Sequence, residues 1–236
     1  MIKDLLQNYI KDYKITLTEN QYEQFQKYFE LLAEWNEKMN LTAITDESGV
    51  ALKHFADSLS LLNFVYIPQN SSLADVGTGA GFPGVVLKIA RPDIKLTLID
   101  SLNKRLVFLG EVCAQLGIEA ELIHSRAEDG ARDEKLRENF DFAVSRAVAR
   151  MNVLSEYCLP YVKVGGAFCA MKGAQANEEF KESLNAINTL GGKLENKYFF
   201  ELPENGGERA IAVVRKVRNT PQKYPRQSGK IKAKAL

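Results

Sequence analysis

Apolar residues recur at steps of three and four along residues 1–67, and this period indicates helices rather than strands. Thr18 and Gln21 form the signature of a capping box, in which two side chains satisfy backbone N–H groups at a helix start. A further helix is predicted over 50–64, with Pro68 ending it. The stripe that follows the capping box is predicted to be a buried helix face without a binding role, and consists of Tyr22, Phe25, Phe29, Leu32, Trp35 and Met39.

Beyond Pro68, short apolar runs alternate with amphipathic stretches, which predicts a mostly parallel sheet with helices on both faces. The turn-forming segment 203–207 separates the last two strand candidates and predicts a terminal β-hairpin. We therefore expect an α/β fold preceded by an N-terminal helical extension. The predicted strands cover 71–76, 95–99, 120–124, 140–145, 167–171, 193–201 and 209–215, and the predicted helices cover 84–90, 103–116, 151–161 and 176–190.

The formal charge of +1 conceals an uneven distribution of ionisable residues. Residues 215–236 contain eight basic and no acidic residues, which leaves 23 basic against 30 acidic residues in the rest of the chain. Prolines and a glycine break regular structure in this tail, so we expect a flexible basic strand whose natural partner is a phosphate backbone. A solvated tail that only aids solubility is the alternative that charge alone leaves open.

Length, cysteine content and hydropathy bound the class of protein. A chain of 236 residues with 45% apolar content can bury a substantial core, and we expect one folded domain overall. Three cysteines without pairing or metal-ligand spacing favour a cytoplasmic protein without a metal site. No stretch approaches the roughly 18 apolar residues of a membrane span, so we expect no membrane segment and no targeting segment.

The strongest chemical signal is DVGTGAGFPG at residues 75–84, where the first predicted strand meets the first predicted helix of the sheet region. Alternating glycines let the backbone approach a ligand closely, as a nucleotide-binding loop requires. Gly79, Gly81 and Gly84 also satisfy the G-x-G-x-x-G fingerprint of dinucleotide-binding folds. The loop alone therefore leaves a nicotinamide-dependent oxidoreductase open.

Residues around the loop favour a different cofactor. Asp100 ends the second predicted strand, where both kinds of fold place a carboxylate that binds ribose hydroxyls. Asp75 directly before the glycines resembles the loop of methyltransferases more than that of nicotinamide enzymes. Residues 125–128, after the third predicted strand, are a candidate edge for an adenine ring. The expected cofactor is therefore S-adenosylmethionine.

Several short motifs occur in one order and spacing over nearly the whole chain. Their combination resembles the bacterial small-subunit ribosomal RNA (guanine-N7) methyltransferases, the glucose-inhibited division protein B family. The ending Pro225-Arg226-x-x-Gly229 resembles the basic terminus of Gram-positive members, although Lys230 stands where those members often carry a proline. The motifs are Trp35-Asn36, Asn40-Leu41-Thr42, His54-x-x-Asp57-Ser58, the glycine loop, Asp100-Ser101-Leu102 with Lys104-Arg105, Ser145-Arg146-Ala147 and Lys172-Gly173.

The resemblance implies a Rossmann-like class I methyltransferase core at 68–216, between a helical extension at 1–67 and a basic tail at 217–236. It implies methyl transfer to N7 of one guanine in the decoding-region loop of 16S ribosomal RNA. The expected partner is this RNA or the small ribosomal subunit, and the expected acting form is a monomer. The residues expected to bind the cofactor, by motif or by their place in the glycine loop, are Gly77, Gly79, Gly81, Phe82, Asp100, Ser101, Ala127, Glu128 and Arg146.

The implied acceptor decides which catalytic groups are needed. Guanine N7 exposes a lone pair in the plane of the ring, so no proton has to be removed before it attacks a methyl group. We assign no general acid or base, and we expect alignment of the reactants to contribute about 7–11 kcal/mol. His54 and Asp57 on one helical face could form a proton-transfer pair, but a structural or RNA-facing role for His54 is favoured.

Six residues are candidate contacts to RNA. Asn40 lies where the helical region ends, so ordinary helix capping competes with RNA contact. Lys172 ends the fifth predicted strand, on the ligand-binding side of open α/β sheets. Its side chain is expected either to contact a phosphate or to be exposed to solvent. A non-catalytic RNA-binding protein of nucleotide-binding fold stays open as the alternative from another functional class. The six candidates are Asn40, His54, Lys172, Arg226, Lys230 and Lys232.

Overall fold

Seven strands form a single sheet in the computed structural model, which describes residues 1–236. The strands are β1 (Ser72–Val76), β2 (Lys95–Asp100), β3 (Ala120–His124), β4 (Phe140–Arg146), β5 (Val162–Lys172), β6 (Gly192–Glu201) and β7 (Glu208–Lys216). Their order is β3-β2-β1-β4-β5-β7-β6, with β1 to β5 parallel and β7 antiparallel to both of its neighbours. Because the order reverses between β1 and β4, a ligand crevice is expected at the carboxyl ends of these two strands.

Helices cover both faces of this sheet. The helices are α1 (Ile2–Tyr9), α2 (Glu19–Met39), α3 (Glu47–Val50), α4 (Asp57–Phe64), α5 (Gly84–Ala90), α6 (Asn103–Leu116), α7 (Ala127–Gly130), α8 (Met151–Cys158), α9 (Ala176–Glu182), α10 (Leu184–Thr189) and α11 (Ser228–Ala233). A π-helical segment, Ala51–Ala56, joins α3 to α4, and a 3₁₀ turn, Leu159–Tyr161, follows α8. None of these helices combines the length and apolar character that crossing a membrane requires.

Two apolar cores lie on the two sides of the sheet. The larger core, of 42 residues, joins α1 to α6 to one face, and the second, of 25 residues, joins α8 to α11 to the other. The predicted capping box of Thr18 and Gln21 is confirmed at the start of α2. Gln21 also donates from Nε2 to the Ile89 carbonyl at 2.7 Å, which fastens α2 to the end of α5. The helical extension is thus a layer of the same folded body.

Three differences between the structure and the predicted elements have an identifiable cause. The helix predicted over 50–64 contains the π-helical segment, in which one turn is widened. β5 begins at Val162 instead of 167, because three exposed residues after Val162 break the apolar run that the prediction relied on. The helix predicted over 176–190 is divided at Ser183, whose hydroxyl donates to the Phe180 carbonyl at 2.9 Å and competes with regular helix bonding.

The basic tail is folded against the domain, which corrects the expectation of a flexible strand. The Arg226 guanidinium forms two parallel contacts to Glu156, with Nη2–Oε2 at 2.6 Å and Nε–Oε1 at 2.9 Å, and Glu156 is fully buried. Lys216 is also buried and pairs with Glu138 at 2.9 Å. Ile231 of α11 has no exposed surface and packs in the second core. Arg215 pairs with Glu195 at 2.8 Å and Arg218 donates to the Asn188 carbonyl, so at least four of the eight cations are engaged within the fold.

The Arg226–Glu156 pair generates a stability prediction. Arg226→Ala should lower the free energy of unfolding by roughly 3 kcal/mol, because it removes the guanidinium partner of the buried Glu156 carboxylate. The backbone N–H of residue 226 still donates to Glu156 Oε1, at 2.7 Å. The expected loss of stability is therefore at the low end of the range for a broken buried ion pair. Urea denaturation measures this change. Lys230→Ala is the control, because Lys230 is exposed on the same tail, and equal losses in the two variants would contradict the anchoring role.

Candidate active site

A buried carboxylate shapes the loop between β1 and α5. Asp75 is fully buried, and its Oδ2 accepts hydrogen bonds from Thr78 Oγ1 at 2.7 Å and from the Gly84 N–H at 2.8 Å. Burial raises the pKa of Asp75 to about 6, although both hydrogen bonds act in the opposite direction. Asp75 therefore ties the start of the loop to the first turn of α5.

Two glycines of the loop have different surroundings although both have positive φ. Gly79, at φ +61°, has open space where a Cβ would stand. Gly81, at φ +99°, would bring a Cβ against the Tyr28 hydroxyl, Leu109 and Val85. Gly81 is expected from the sequence to bind the cofactor, and a Cβ at this position would point into the core. Gly79 is the glycine that leaves room for a ligand.

A cleft of about 550 Å³ opens beside this loop at the carboxyl ends of β1, β2 and β4. Asp100, at the end of β2, accepts from the Gly79 N–H at 2.9 Å and pairs with Arg105 at 3.3 Å. Its other oxygen accepts from the Leu102 N–H at 2.9 Å, so the carboxylate is held in one orientation. Eight of the nine residues expected to bind the cofactor line this cleft, namely Gly77, Gly79, Phe82, Asp100, Ser101, Ala127, Glu128 and Arg146.

Arg146 ends β4 and is held by residues of the helical extension. Its Nη1 donates to Asp57 Oδ2 at 2.8 Å and to the Lys53 carbonyl at 2.8 Å. Its Nη2 lies 3.2 Å from His54 Nδ1, and its guanidinium carbon lies 5.2 Å from the centre of the Phe82 ring. These contacts combine an ion pair, neutral acceptors and a cation–π interaction. The extension therefore sets the position of this arginine.

His54 is held in a neutral state by the same arrangement. Arginine only donates, so His54 Nδ1 must accept from Arg146, and the ring proton is assigned to Nε2, which donates to Thr42 Oγ1 at 2.8 Å. Burial first, and then the charge of Arg146, lowers the pKa of His54 to about 3. The ring also stacks on Phe82 with 4.5 Å between centroids. His54 and Asp57 thus both bind Arg146, and the possible proton-transfer pair is not formed.

A second cavity, of about 490 Å³, adjoins the first one. His54, Arg146 and Ala147 line both cavities. Ala147 has φ +57°, a left-handed conformation that costs a residue with a Cβ about 1–2 kcal/mol and persists where the surroundings impose it. The side chains of Met171 and Phe200 supply apolar surface to the second cavity. The two cavities therefore meet at the end of β4.

The candidate RNA contacts lie in different environments. Asn40 ends α2 in the left-handed conformation, at φ 49°, which is a capping role. Lys172 borders the second cavity but is only 9% exposed and pairs with Glu179 at 2.7 Å. Lys230 and Lys232 are both exposed on α11, and only Lys232 lines the cleft. Arg226 is engaged by Glu156, so its charge is already balanced within the protein.

Several lining residues have no individual role in the sequence analysis, among them two polar residues at each cavity. Lys53 and Arg209 border the second cavity, and Arg126 and Ser228 border the cleft. Lys53 is next to His54, and Arg126 lies within the 125–128 segment. Both residues could therefore have been identified from the motifs already described. Arg209 and Ser228 reach the site through the hairpin and the tail, and no local pattern signals such long-range contacts.

Comparisons with known proteins decide the family. A family model described as "rRNA small subunit methyltransferase G" matches residues 21–205. The chain belongs to this family. It is 49% identical over 230 residues to the ribosomal RNA small subunit methyltransferase G of Alkaliphilus oremlandii, covering 97% of this chain and 96% of that protein. It is 53% identical over 223 residues to the protein of the same name from Leuconostoc citreum, covering 93% of each.

Solved structures show the fold independently of close sequence similarity. An S-adenosylmethionine-dependent methyltransferase from Aquifex aeolicus matches with a TM-score of 0.54 at 17% identity, over 77% of this chain and 97% of that one. The fibrillarin pre-rRNA processing protein of Methanococcus jannaschii matches with a TM-score of 0.54 at 15% identity, over 68% of this chain and 74% of that one. Both likenesses establish the expected Rossmann-like class I methyltransferase fold.

Fold and family together imply S-adenosylmethionine as the methyl donor, and the nicotinamide alternative is excluded. The cleft residues fit this cofactor. Glu128 is 5% exposed, and its Oε1 is buried without a hydrogen-bond partner, as expected of an acceptor that awaits a ligand donor. Asp100 offers carboxylate oxygens to ribose hydroxyls, and Gly79 leaves the backbone approachable.

The two glycines with different surroundings give a matched pair of variants. Gly79→Ala should weaken S-adenosylhomocysteine binding about tenfold or more, or about 1.4 kcal/mol, because its methyl group enters the cleft. Gly81→Ala should instead lower the free energy of unfolding by about 1–3 kcal/mol through overpacking against Tyr28. Calorimetry and urea denaturation measure the two effects. A loss of ligand affinity without loss of stability in Gly81→Ala would overturn the assignment.

The depressed pKa of His54 predicts how stability depends on pH. Below the ordinary pKa of 6.5, the unfolded chain takes up a proton that folded His54, with a pKa of about 3, does not. The free energy of unfolding should therefore fall as the pH drops from 6.5 towards 3, by up to about 1.4 kcal/mol per pH unit from this residue. His54→Gln keeps one acceptor and one donor but cannot titrate, so its curve should fall less steeply. Parallel denaturation curves would mean that His54 titrates normally in the folded protein.

Proposed function

We propose that the protein transfers a methyl group from S-adenosylmethionine to N7 of a guanine in the decoding-region loop of 16S ribosomal RNA. The observation that carries this proposal is the absence of a free proton acceptor where the two cavities meet. Both nitrogens of His54 are engaged, and its pKa is about 3. The Asp57 oxygens face Arg146 at 2.8 Å and Arg209 at 3.3 Å. A site without a base suits an acceptor atom that already carries an available lone pair.

The proposed chemistry relies on position and charge. When bound, S-adenosylmethionine would supply an electrophilic methyl group on a sulfonium. A purine lone pair can attack this methyl group without prior loss of a proton, and the carbon–sulfur bond breaks to leave S-adenosylhomocysteine. Arg146, fixed at the end of β4, aligns the two cavities and keeps the junction rigid. The purine becomes cationic as it accepts the methyl group. Because His54 is neutral, it does not place a second positive charge beside the purine. Catalysis would thus come mainly from alignment.

The second cavity is the proposed acceptor pocket. Phe200 and Met171 offer apolar surface to a planar base, and Lys53 and Arg209 offer cations at its border. A base turned out of its RNA stack could enter this pocket, at a cost of a few kcal/mol that a single-stranded loop largely avoids. Lys172 would support the pocket through Glu179 rather than bind phosphate directly. The substrate places the enzyme in the bacterial cytoplasm.

The proposal assigns a task to each part of the chain. Residues 68–216 bind the cofactor through the cleft residues described above, and residues 1–67 position Arg146 and complete the acceptor pocket. Residues 217–236 close the structure beside the cleft. Of the candidate RNA contacts, His54 supports the junction of the cavities, and Lys232 stays a direct contact because it is exposed at the cleft.

Methyl transfer from tritiated S-adenosylmethionine into 30S subunits tests this function. Subunits from cells that lack the enzyme should accept about one methyl group each, and borohydride reduction with aniline cleavage should cut 16S ribosomal RNA at one guanine, as N7-methylguanine requires. Asp100→Ala should lose activity through weak cofactor binding, because it removes the ribose acceptor. Label on an exocyclic amine or on ribose would overturn the N7 assignment. Absence of transfer despite RNA binding would favour the non-catalytic alternative.

A further inference from the structure

The charged groups that line the cofactor cleft fall into two classes. Two of its cations already have partners within the protein: Arg105 pairs with Asp100, and Arg146 pairs with Asp57. Glu128 is buried and leaves one oxygen free. Arg126 and Lys232 are exposed and form no ion pair within 4 Å. The unmatched positive charge of the cleft thus lies at its solvent-exposed border.

This charge does not suit the cofactor. The sulfonium, the ammonium and the carboxylate of S-adenosylmethionine sum to one positive charge, so unpaired cations beside it are unfavourable. Glu128, inside the cleft, has the sign that a cationic ligand needs. Arg126 and Lys232 have the sign that an anion needs, and the anion available to an RNA methyltransferase is the phosphate backbone of its substrate.

Lys232 is held at the cleft by the fold of the tail. Ile231, its neighbour in α11, is fully buried, and Arg226 is bound to buried Glu156 at the entry to the helix. Ser228, one turn before Lys232, borders the same cleft. Arg126 lies directly before α7 and borders the same cleft. Two distant parts of the sequence therefore present cations to one opening.

We propose that an RNA strand crosses the mouth of the cofactor cleft, with its phosphates on Arg126 and Lys232. This inference rests on the proposed function, and it adds that the bound substrate covers the cofactor. RNA bound in this way blocks the exit of the cofactor. The cofactor must therefore bind before the RNA. The demethylated cofactor must leave after the RNA has dissociated.

The test compares Arg126→Ala, Lys232→Ala and the double variant with Lys193→Ala. Lys193 is a matched control, because it is exposed, forms no ion pair and lies in β6, at the edge of the sheet opposite β3. Filter binding to 30S subunits from cells lacking the enzyme measures RNA affinity at several salt concentrations. Calorimetry measures affinity for S-adenosylhomocysteine. Stopped-flow release of this ligand, with and without 30S subunits, measures the covering of the cleft.

The double variant should bind 30S subunits about tenfold more weakly, while its S-adenosylhomocysteine affinity is unchanged. The slope of log affinity against log salt concentration should decrease by the amount that corresponds to about two lost phosphate contacts. Release of S-adenosylhomocysteine from the wild-type protein should slow when 30S subunits are bound. Unchanged 30S affinity and salt slope would overturn the proposal, as would a loss of S-adenosylhomocysteine affinity, which would assign the cations to the cofactor. Failure of the wild type to methylate would reject the proposed function, whereas the binding measurements judge this inference separately.

Discussion

The permanent positive charge of Arg146 is the constraint on which the arrangement of both cavities depends. A guanidinium cannot give up its proton in a protein, so a largely buried one requires acceptors on every side. The extension supplies them through Asp57, His54 and the Lys53 carbonyl. The sheet region alone would leave this charge without a partner. The helical extension is thus a structural necessity for the end of β4.

The glycine loop is held from both sides in a similar way. Asp75 fastens it from within the sheet, and the Tyr28 hydroxyl of α2 donates to the Ala80 carbonyl at 2.5 Å from the extension. Gly81 is needed because Tyr28 stands where a side chain would be. A single layer of the fold could not specify this loop. The conformation of this loop therefore depends on residues that do not line the cleft.

Local patterns in the sequence predicted what local interactions determine. The capping box at Thr18, the alternation of strands and helices and the loop at residues 75–84 all follow from neighbours a few positions apart. The anchoring of the tail did not follow, because Glu156 lies 70 residues from Arg226, and charge counting cannot distinguish a paired cation from a free one. The direction of Gly81 was equally hidden, since it depends on Tyr28 from another layer.

The π-helical segment has a consequence for how this protein tolerates insertions and deletions. A π turn holds one more residue than an α turn, and His54 lies within it. Loss of one residue here would restore a regular helix while rotating the preceding side chains by about 100° relative to those that follow. Lys53 and Asp57 would then no longer converge on one guanidinium. Evolution can therefore change the side chains of this turn more readily than its length.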